Sequence, residues 1–269
     1  MGIVGAILGD IAGSQYEFSR MRPDNLDWKN CDLFTEKCRF TDDTVMTIAC
    51  HMAILEDKEN PNFEKWYRNL GVKYLNVGYG GMFKQWIKDP NMGNYGSYGN
   101  GSAMRVSAVG ELYNDPGDVT KYAKLSALPT HNHPEGMKGA IVTAMCEYIA
   151  KAGGAKQDIY NYTLKFYGDE NKYKYPITMP LEEMRKIYKW DVTCQGSVPA
   201  AIRCVLEANS YEEFLRNIFS LKCDMDTLGA IGGGIAEELF GLADIYKNYP
   251  SPLSYLDDYL LSCLYNNNN

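Results

Sequence analysis

Histidine is scarce in this chain: His51, His131 and His133 are the only three in 269 residues. So few imidazoles argue against a multi-histidine metal site. The eight cysteines include no Cys-x-x-Cys pair, which removes the usual zinc and disulfide-framework spacings. The start of the chain lacks the basic stretch and cleavage site of a secretory leader. Reduced thiols and a cytoplasmic location are therefore expected. Nowhere do apolar residues run for the ~20 positions that cross a bilayer, so no membrane partner is expected. Strand-type alternation of apolar and polar residues is nearly missing as well. Basic charge is in deficit, with a formal net charge of −7. That balance argues against a stable nucleic-acid partner, which must be met with clustered Lys and Arg. A small phosphate-bearing ligand held by backbone amides stays open.

What the chain does have is two short acidic clusters, Thr41-Asp42-Asp43-Thr44 and Asp224-Met225-Asp226-Thr227, each placed to open an apolar helix. Carboxylates facing one another at ~4 Å repel by ~4 kcal/mol per pair at an effective dielectric of ~20. A fold that gathered all four would call for a hard cation, and Asp and Thr oxygens suit magnesium, manganese or calcium. Two ordinary helix starts would use the same residue types, since Asp and Thr favour the N-cap and first turn. The second cluster is not an EF-hand loop, because Ile235 stands where the twelfth-position glutamate belongs. Nor is it a phosphatase-type Asp-x-Asp-x-Thr, since Leu228 replaces the threonine. Residues two apart on a helix point to opposite sides, so Asp224 and Asp226 share an ion only in an extended turn before the helix. Gly229 and Gly232 to Gly234 would let other backbone approach that end.

Apolar periodicity is helical nearly throughout, which predicts an all-α, single-domain bundle. Its expected extent is 1–250, with a C-terminal segment 251–269 that ends in the disordered run Asn266 to Asn269. In the first segment Ile3, Val4, Ile7, Leu8 and Ile11 form one stripe, and Gly5, Gly9 and Gly13 permit close approach by another helix. Asp10, Ser14 and Glu17 follow at helical spacing and read as the wall of a site. Helices are expected after Asp43, after Pro134, after the capping box at Ser210, and after Asp226. Residues 93–101 form a glycine-rich loop, with no Gly-Lys-Ser/Thr and no preceding strand, so it is neither a Walker A loop nor a dinucleotide fingerprint. Such a loop leading into a helix can still cradle an anion. Residues 129–134 carry two of the histidines, and the Tyr/Lys-rich stretch 158–189 reads as a surface excursion with room for helix. Cys194 and Cys223 read as structural.

Taken in order, these segments resemble the ADP-ribosylglycohydrolase family. The matching pieces are Gly5-Ala6-Ile7-Leu8-Gly9-Asp10 through Tyr16-Glu17-Phe18, then Phe40-Thr41-Asp42-Asp43-Thr44. Gly99-Asn100-Gly101-Ser102-Ala103-Met104-Arg105 and Thr130-His131-Asn132-His133-Pro134-Glu135-Gly136 follow. Last come Cys194-Gln195-Gly196-Ser197-Val198-Pro199 and Asp224-Met225-Asp226-Thr227, so the match spans residues 1–245. The resemblance implies an orthogonal all-α fold with two magnesium ions in a cleft, manganese being the alternative. It implies Thr41, Asp42, Asp43, Asp224, Asp226 and Thr227 as metal ligands and Glu17 as the active-site glutamate. Gly99, Asn100, Gly101, Ser102 and His131 would hold the diphosphate and ribose of ADP-ribose. The implied reaction hydrolyses the glycosidic bond between ADP-ribose and a modified protein, nucleic acid or small molecule. One departure is Lys222-Cys223 where relatives carry glycines, which bears on the pocket rim and the leaving group. Members of the fold that only bind ADP-ribose, or are structural, form the second class, marked by loss of metal carboxylates, and none is lost here. A metal-dependent phosphoesterase is the third class, disfavoured by the few histidines.

Overall fold

A computed structural model describes residues 2–17 and 23–265. The chain opens with α1 (Gly2–Ser14), α2 (Asp42–Glu56), α3 (Phe63–Lys73), α4 (Gly81–Lys88) and the single turn α5 (Gly101–Met104). It continues through α6 (Ser107–Leu112), α7 (Pro116–Ala127), α8 (Pro134–Lys151), α9 (Lys156–Tyr167) and α10 (Leu181–Ile187). The last five are α11 (Cys194–Leu206), α12 (Tyr211–Phe219), α13 (Met225–Phe240), α14 (Ala243–Asn248) and α15 (Asp258–Tyr265). Among the described residues, pairing of the strand type is confined to one isolated antiparallel bridge, Gly99 with Thr193. The all-α expectation holds.

Side-chain caps set where several helices begin. Thr41 accepts from the Asp43 amide at the start of α2, and Thr193 accepts from the Gly196 amide at the start of α11. Before α8, His133 accepts from the Glu135 amide and Pro134 takes the first helical position, where its missing N–H costs nothing. Ser210 accepts from the Glu213 amide as expected, but the Glu213 carboxylate accepts from the Asn209 amide, one residue earlier than a capping box requires.

The centre of the molecule is the pair α1 and α13. Every residue of α1 is buried. Glycines on both helices recur at four-residue spacing and meet face to face. A Cβ on Gly5 would lie 3.0 Å from the Gly233 carbonyl carbon, and one on Gly9 3.0 Å from the Ala230 nitrogen. A Cβ on Gly13 would lie 2.5 Å from the Asp226 Cα. Backbone thus touches backbone along the seam, as the glycine spacing predicted. Glycine in a helix costs about 1 kcal/mol relative to alanine, so the close approach must repay several such costs through packing. The contact draws the C-terminal end of α1 and the N-terminal end of α13 together.

Stretch 158–189 contains helix, as its expectation allowed, but it is not a surface excursion throughout. It carries most of α9 and all of α10, and it sinks Tyr167, Tyr173, Tyr175 and Tyr188 into the core. The Tyr175 and Tyr188 rings pack at 4.2 Å, and the Tyr188 hydroxyl donates to the Gly196 carbonyl at 3.0 Å. A ring that can bury its face and still place its hydroxyl belongs inside as readily as outside. At the other end of the chain α15 packs against α2 with Leu260 and Leu264 buried. Asn266 to Asn269 lie outside the described residues.

Candidate active site

Asp10 fastens the site together. It is wholly buried on α1, and its Oδ1 accepts from the Thr41 hydroxyl at 2.7 Å. Its Oδ2 accepts from the Thr41 amide at 3.0 Å, the Thr44 amide at 3.1 Å and the Thr44 hydroxyl. Asp10 therefore supplies from another helix what the start of α2 leaves unpaired. Burial raises its pKa to about 6 despite these donors. Ser14 likewise serves structure: its hydroxyl donates to the Ile11 carbonyl at 2.7 Å and accepts from the Arg39 amide at 2.9 Å. Because α1 stops at Ser14, Glu17 lies in the turn beyond it. The expected single wall of Asp10, Ser14 and Glu17 is not formed, and Glu17 alone of the three reaches the cavity.

The cavity, 660 Å³ in volume, is lined at its acidic end by Glu17, Asp42, Asp43, Asp224, Asp226 and Thr227. Thr41 is absent from that wall, since as N-cap its hydroxyl is committed to Asp10 and to the Asp43 amide. Asp224 is the N-cap of α13, with non-helical backbone, and Asp226 sits in the first turn. That change of backbone lets two carboxylates two residues apart converge. Asp43 reaches across to the Thr227 hydroxyl, Oδ2 to Oγ1 at 3.5 Å, and its Oδ1 is buried without a partner. Asp10, Asp43 and Asp226 each offer an oxygen within 4.8 Å of the others. Asn100 Nδ2 donates to Asp224 Oδ2 at 3.0 Å and so turns that carboxylate.

Burial, then the neighbouring carboxylates, holds Asp43 and Asp226 well above the usual carboxylate range, and Asp42 likewise. Burial raises Asp224 to about 6. Like charges crowded in a dry site must take up protons or a counter-cation. The orphaned Asp43 oxygen and an all-oxygen donor set fit a hard divalent ion. Asp10 belongs to the compact triad but not to the cavity wall, because both its oxygens are already used. Asp42, Asp43, Asp224, Asp226 and the Thr227 hydroxyl are the donors left to face an ion.

The rest of the cavity wall is made by Gly99, Asn100 and Gly101 of the glycine loop, by His131, and by Phe83, Tyr95, Trp190 and Val192 among others. Two of the four amides from Gly99 to Ser102 are already used within the protein. The Gly99 amide donates to Ser97 Oγ at 3.1 Å and the Asn100 amide to the Val192 carbonyl at 2.8 Å. The Ser102 hydroxyl turns away and donates to the Gly136 carbonyl at 2.7 Å. The amides of Gly101 and Ser102, at the start of α5, are the ones left over. His131 stands against this loop, and burial together with Arg105 pushes its pKa well below the ordinary value.

Sequence reasoning missed two residues around Glu17. Arg39 forms an ion pair with its carboxylate. Gly78 has φ +116°, and a Cβ there would sit 2.6 Å from Glu17 Oε1 and 2.7 Å from Asp42 Oδ1. The run Val77-Gly78-Tyr79-Gly80-Gly81 carried a turn signal, but nothing in it named the carboxylates it would face. Lys222 pairs with Asp24, and Cys223 is buried with its thiol toward the Ile218 carbonyl. Neither lines the cavity, so the departure from the family pattern does not reach its wall.

A family model described as ADP-ribosylglycohydrolase matches residues 1–262. ADP-ribosylhydrolase ARH3 of Mus musculus is 25% identical over 316 aligned positions, spanning 92% of this chain and 85% of that protein. ADP-ribosylhydrolase ARH3 of Gallus gallus is 30% identical over 188 positions, 59% of this chain and 51% of that one. A solved structure described as an ADP-ribosylglycohydrolase-related protein complex superposes with a TM-score of 0.70 at 21% identity, covering 98% of this chain and 95% of the other. At that identity the likeness bears on the fold alone.

Proposed function

The chain belongs to the ADP-ribosylglycohydrolase family, and on that premise we propose that it hydrolyses the glycosidic bond between ADP-ribose and a modified acceptor with two magnesium ions bound. The observation that carries this reading is the convergence of Asp42 and Asp43 with Asp224, Asp226 and Thr227 at one end of a cavity. Gly101 and His131 line the same cavity. A volume of 660 Å³ lies within the range of small-molecule sites. Manganese would satisfy the same oxygen set.

The two sets of residues do different work. Asp42, Asp43, Asp224, Asp226 and the Thr227 hydroxyl would hold the ions, and Asn100 keeps Asp224 turned toward them. Bound there, the ions would orient the ribose hydroxyls and make a water more acidic. Glu17, held on one side by Arg39 and given room by Gly78, is the carboxyl free to move a proton. It acts either as base toward the water or as acid toward the leaving group. Positive charge develops at the anomeric carbon, and the surrounding carboxylates favour it. The Gly101 and Ser102 amides and the His131 ring would receive the diphosphate. Substrates of this class are ADP-ribosylated proteins, nucleic acids or small molecules. All eight cysteines are free thiols, which supports the cytoplasm as the proposed location.

The test is a panel of ADP-ribosylated acceptors assayed with magnesium and with chelator. Free ADP-ribose released only with the metal is the expected product. Release of AMP would replace the reading with a phosphoesterase, and ADP-ribose binding without any product would replace it with a binding protein.

A further inference from the structure

His131 is held from behind by a chain of side chains that line up with its inner ring nitrogen. Arg105 is buried, with its guanidinium 4.1 Å above the Tyr67 ring. Its Nη2 donates to the Ser126 carbonyl at 3.0 Å and to Thr130 Oγ1 at 2.9 Å. Thr130 Oγ1 in turn lies 2.7 Å from His131 Nδ1. A guanidinium has donors only, so it must occupy a lone pair of the Thr130 hydroxyl. Thr130 is wholly buried, and among the described residues the one acceptor its hydroxyl meets is His131 Nδ1, while a buried hydroxyl left without an acceptor is costly. The hydroxyl's own proton is then left for His131 Nδ1, which must accept it.

A neutral imidazole that accepts at Nδ1 carries its proton on Nε2. Burial, with Arg105 behind it, keeps the doubly protonated form out of reach near neutral pH. The direction of Nε2 follows from the glycines it faces. A Cβ on Gly101 would come within 3.2 Å of Nε2, and one on Gly99 within 3.8 Å. The inner nitrogen thus belongs to the protein and the outer one to the cavity.

We propose that Thr130 is a positioning residue, whose hydroxyl, held by Arg105, fixes His131 as an Nε2–H donor aimed past Gly101 into the cavity. This rests on the ADP-ribose reading for its ligand. His131 then joins the Gly101 amide as a neutral donor toward the diphosphate oxygens and takes no part in proton transfer. A neutral donor has a further merit here. An imidazolium would be drawn to the carboxylates of the same cavity, whereas an N–H dipole leaves them to the metal.

The tautomer is readable by long-range 1H–15N NMR on the unliganded, metal-free protein, with His131→Gln assigning the ring. The expected spectrum has a protonated Nε2 and a lone pair on Nδ1. Thr130→Val keeps the shape and removes the hydroxyl. It should move both His131 nitrogens toward the average of the two tautomers and weaken ADP-ribose binding in magnesium by about tenfold, the loss of one hydrogen bond. Thr130→Ser should restore both. A wild-type spectrum with the proton on Nδ1 overturns the proposal, whether or not Thr130→Val folds. So does a folded Thr130→Val protein with unchanged nitrogen shifts. Wild-type protein that shows the expected tautomer yet binds no ADP-ribose would refute the hydrolase reading and leave the Thr130–His131 arrangement standing.

Discussion

Gly13 lies where the two central helices meet the acidic cluster, so adding one methyl there tests the seam and the site together. A Cβ on Gly13 would sit 2.5 Å from the Asp226 Cα, whereas carbon atoms pack at about 3.5–4.0 Å. The obstacle is backbone, which no rotamer change can relieve. The last turn of α1 and the first turn of α13 must separate by ~1 Å or more, and Asp226 moves with its helix. Overpacking of this kind costs about 1–3 kcal/mol, or roughly 2–10 °C in Tm for a domain near this size. A ~1 Å misplacement of a group in the site can cost about 100-fold in rate. Gly5→Ala strikes the other end of the seam, roughly 12 Å away along the helix, where it meets the Gly233 carbonyl carbon at 3.0 Å. Gly93→Ala meets nothing within 4 Å and serves as the neutral control. The expected pattern is a lower Tm for Gly13→Ala and Gly5→Ala alike. Only Gly13→Ala should lose activity and the magnesium-induced rise in Tm. Differential scanning fluorimetry with and without magnesium, and turnover well below Tm, read both quantities. A Gly13→Ala protein with wild-type melting and wild-type metal response would refute the reasoning. Equal activity loss in Gly5→Ala would show that the seam opens as a whole.

Three further outcomes are expected. Magnesium should stabilise the wild-type fold by ~2.7 kcal/mol at a hundredfold excess over Kd, and Asp226→Asn should abolish activity and most of that gain; melting curves indifferent to chelator in wild type would speak against a shared metal site. Glu17→Gln should lower the rate at least ~100-fold, with ADP-ribose affinity changed far less, and near-normal turnover would remove Glu17 from the proton transfer. The metal response should also depend on pH. Asp10 and Asp224 have folded pKa values raised from 3.8 to about 6, so the native state binds the extra protons and their stabilising effect is present at low pH and lost as pH rises through about 6. The Tm gap between magnesium and chelator should therefore widen from pH 5 to pH 7, and a constant gap would count against titration of these carboxylates.

Much of the fold was legible because its signals are local. Helical periodicity depends on neighbours three and four residues away, and the caps at Thr41 and Ser210 act within one turn. The glycine seam was half legible: the spacing of Gly5, Gly9 and Gly13 announced a close partner without naming it. The Tyr/Lys-rich stretch was misplaced outside because composition cannot tell a solvated tyrosine from one whose hydroxyl finds a buried acceptor, as Tyr188 does at Gly196.

By itself the sequence determined that the chain is all helix, that two acidic motifs open two of those helices, and that glycines mark a tight contact. It also ordered the motifs that assign the family. Tertiary structure alone decided which polar side chains face the cavity. Asp10 and Glu17 share a helical spacing in sequence, yet Asp10 is consumed by Thr41 and Thr44 while Glu17 is turned outward beyond the end of α1. Ser102 and Asn100 lie in one glycine loop, yet one hydroxyl is lost to Gly136 and the other side chain reaches Asp224. Arg105 reaches the adjacent pair Thr130 and His131 from 25 residues away, a spacing that predicts no contact. The physical reason is common to all three. A buried hydrogen-bonding group takes the partner that three-dimensional packing brings within about 3 Å, and that partner lies far away in sequence.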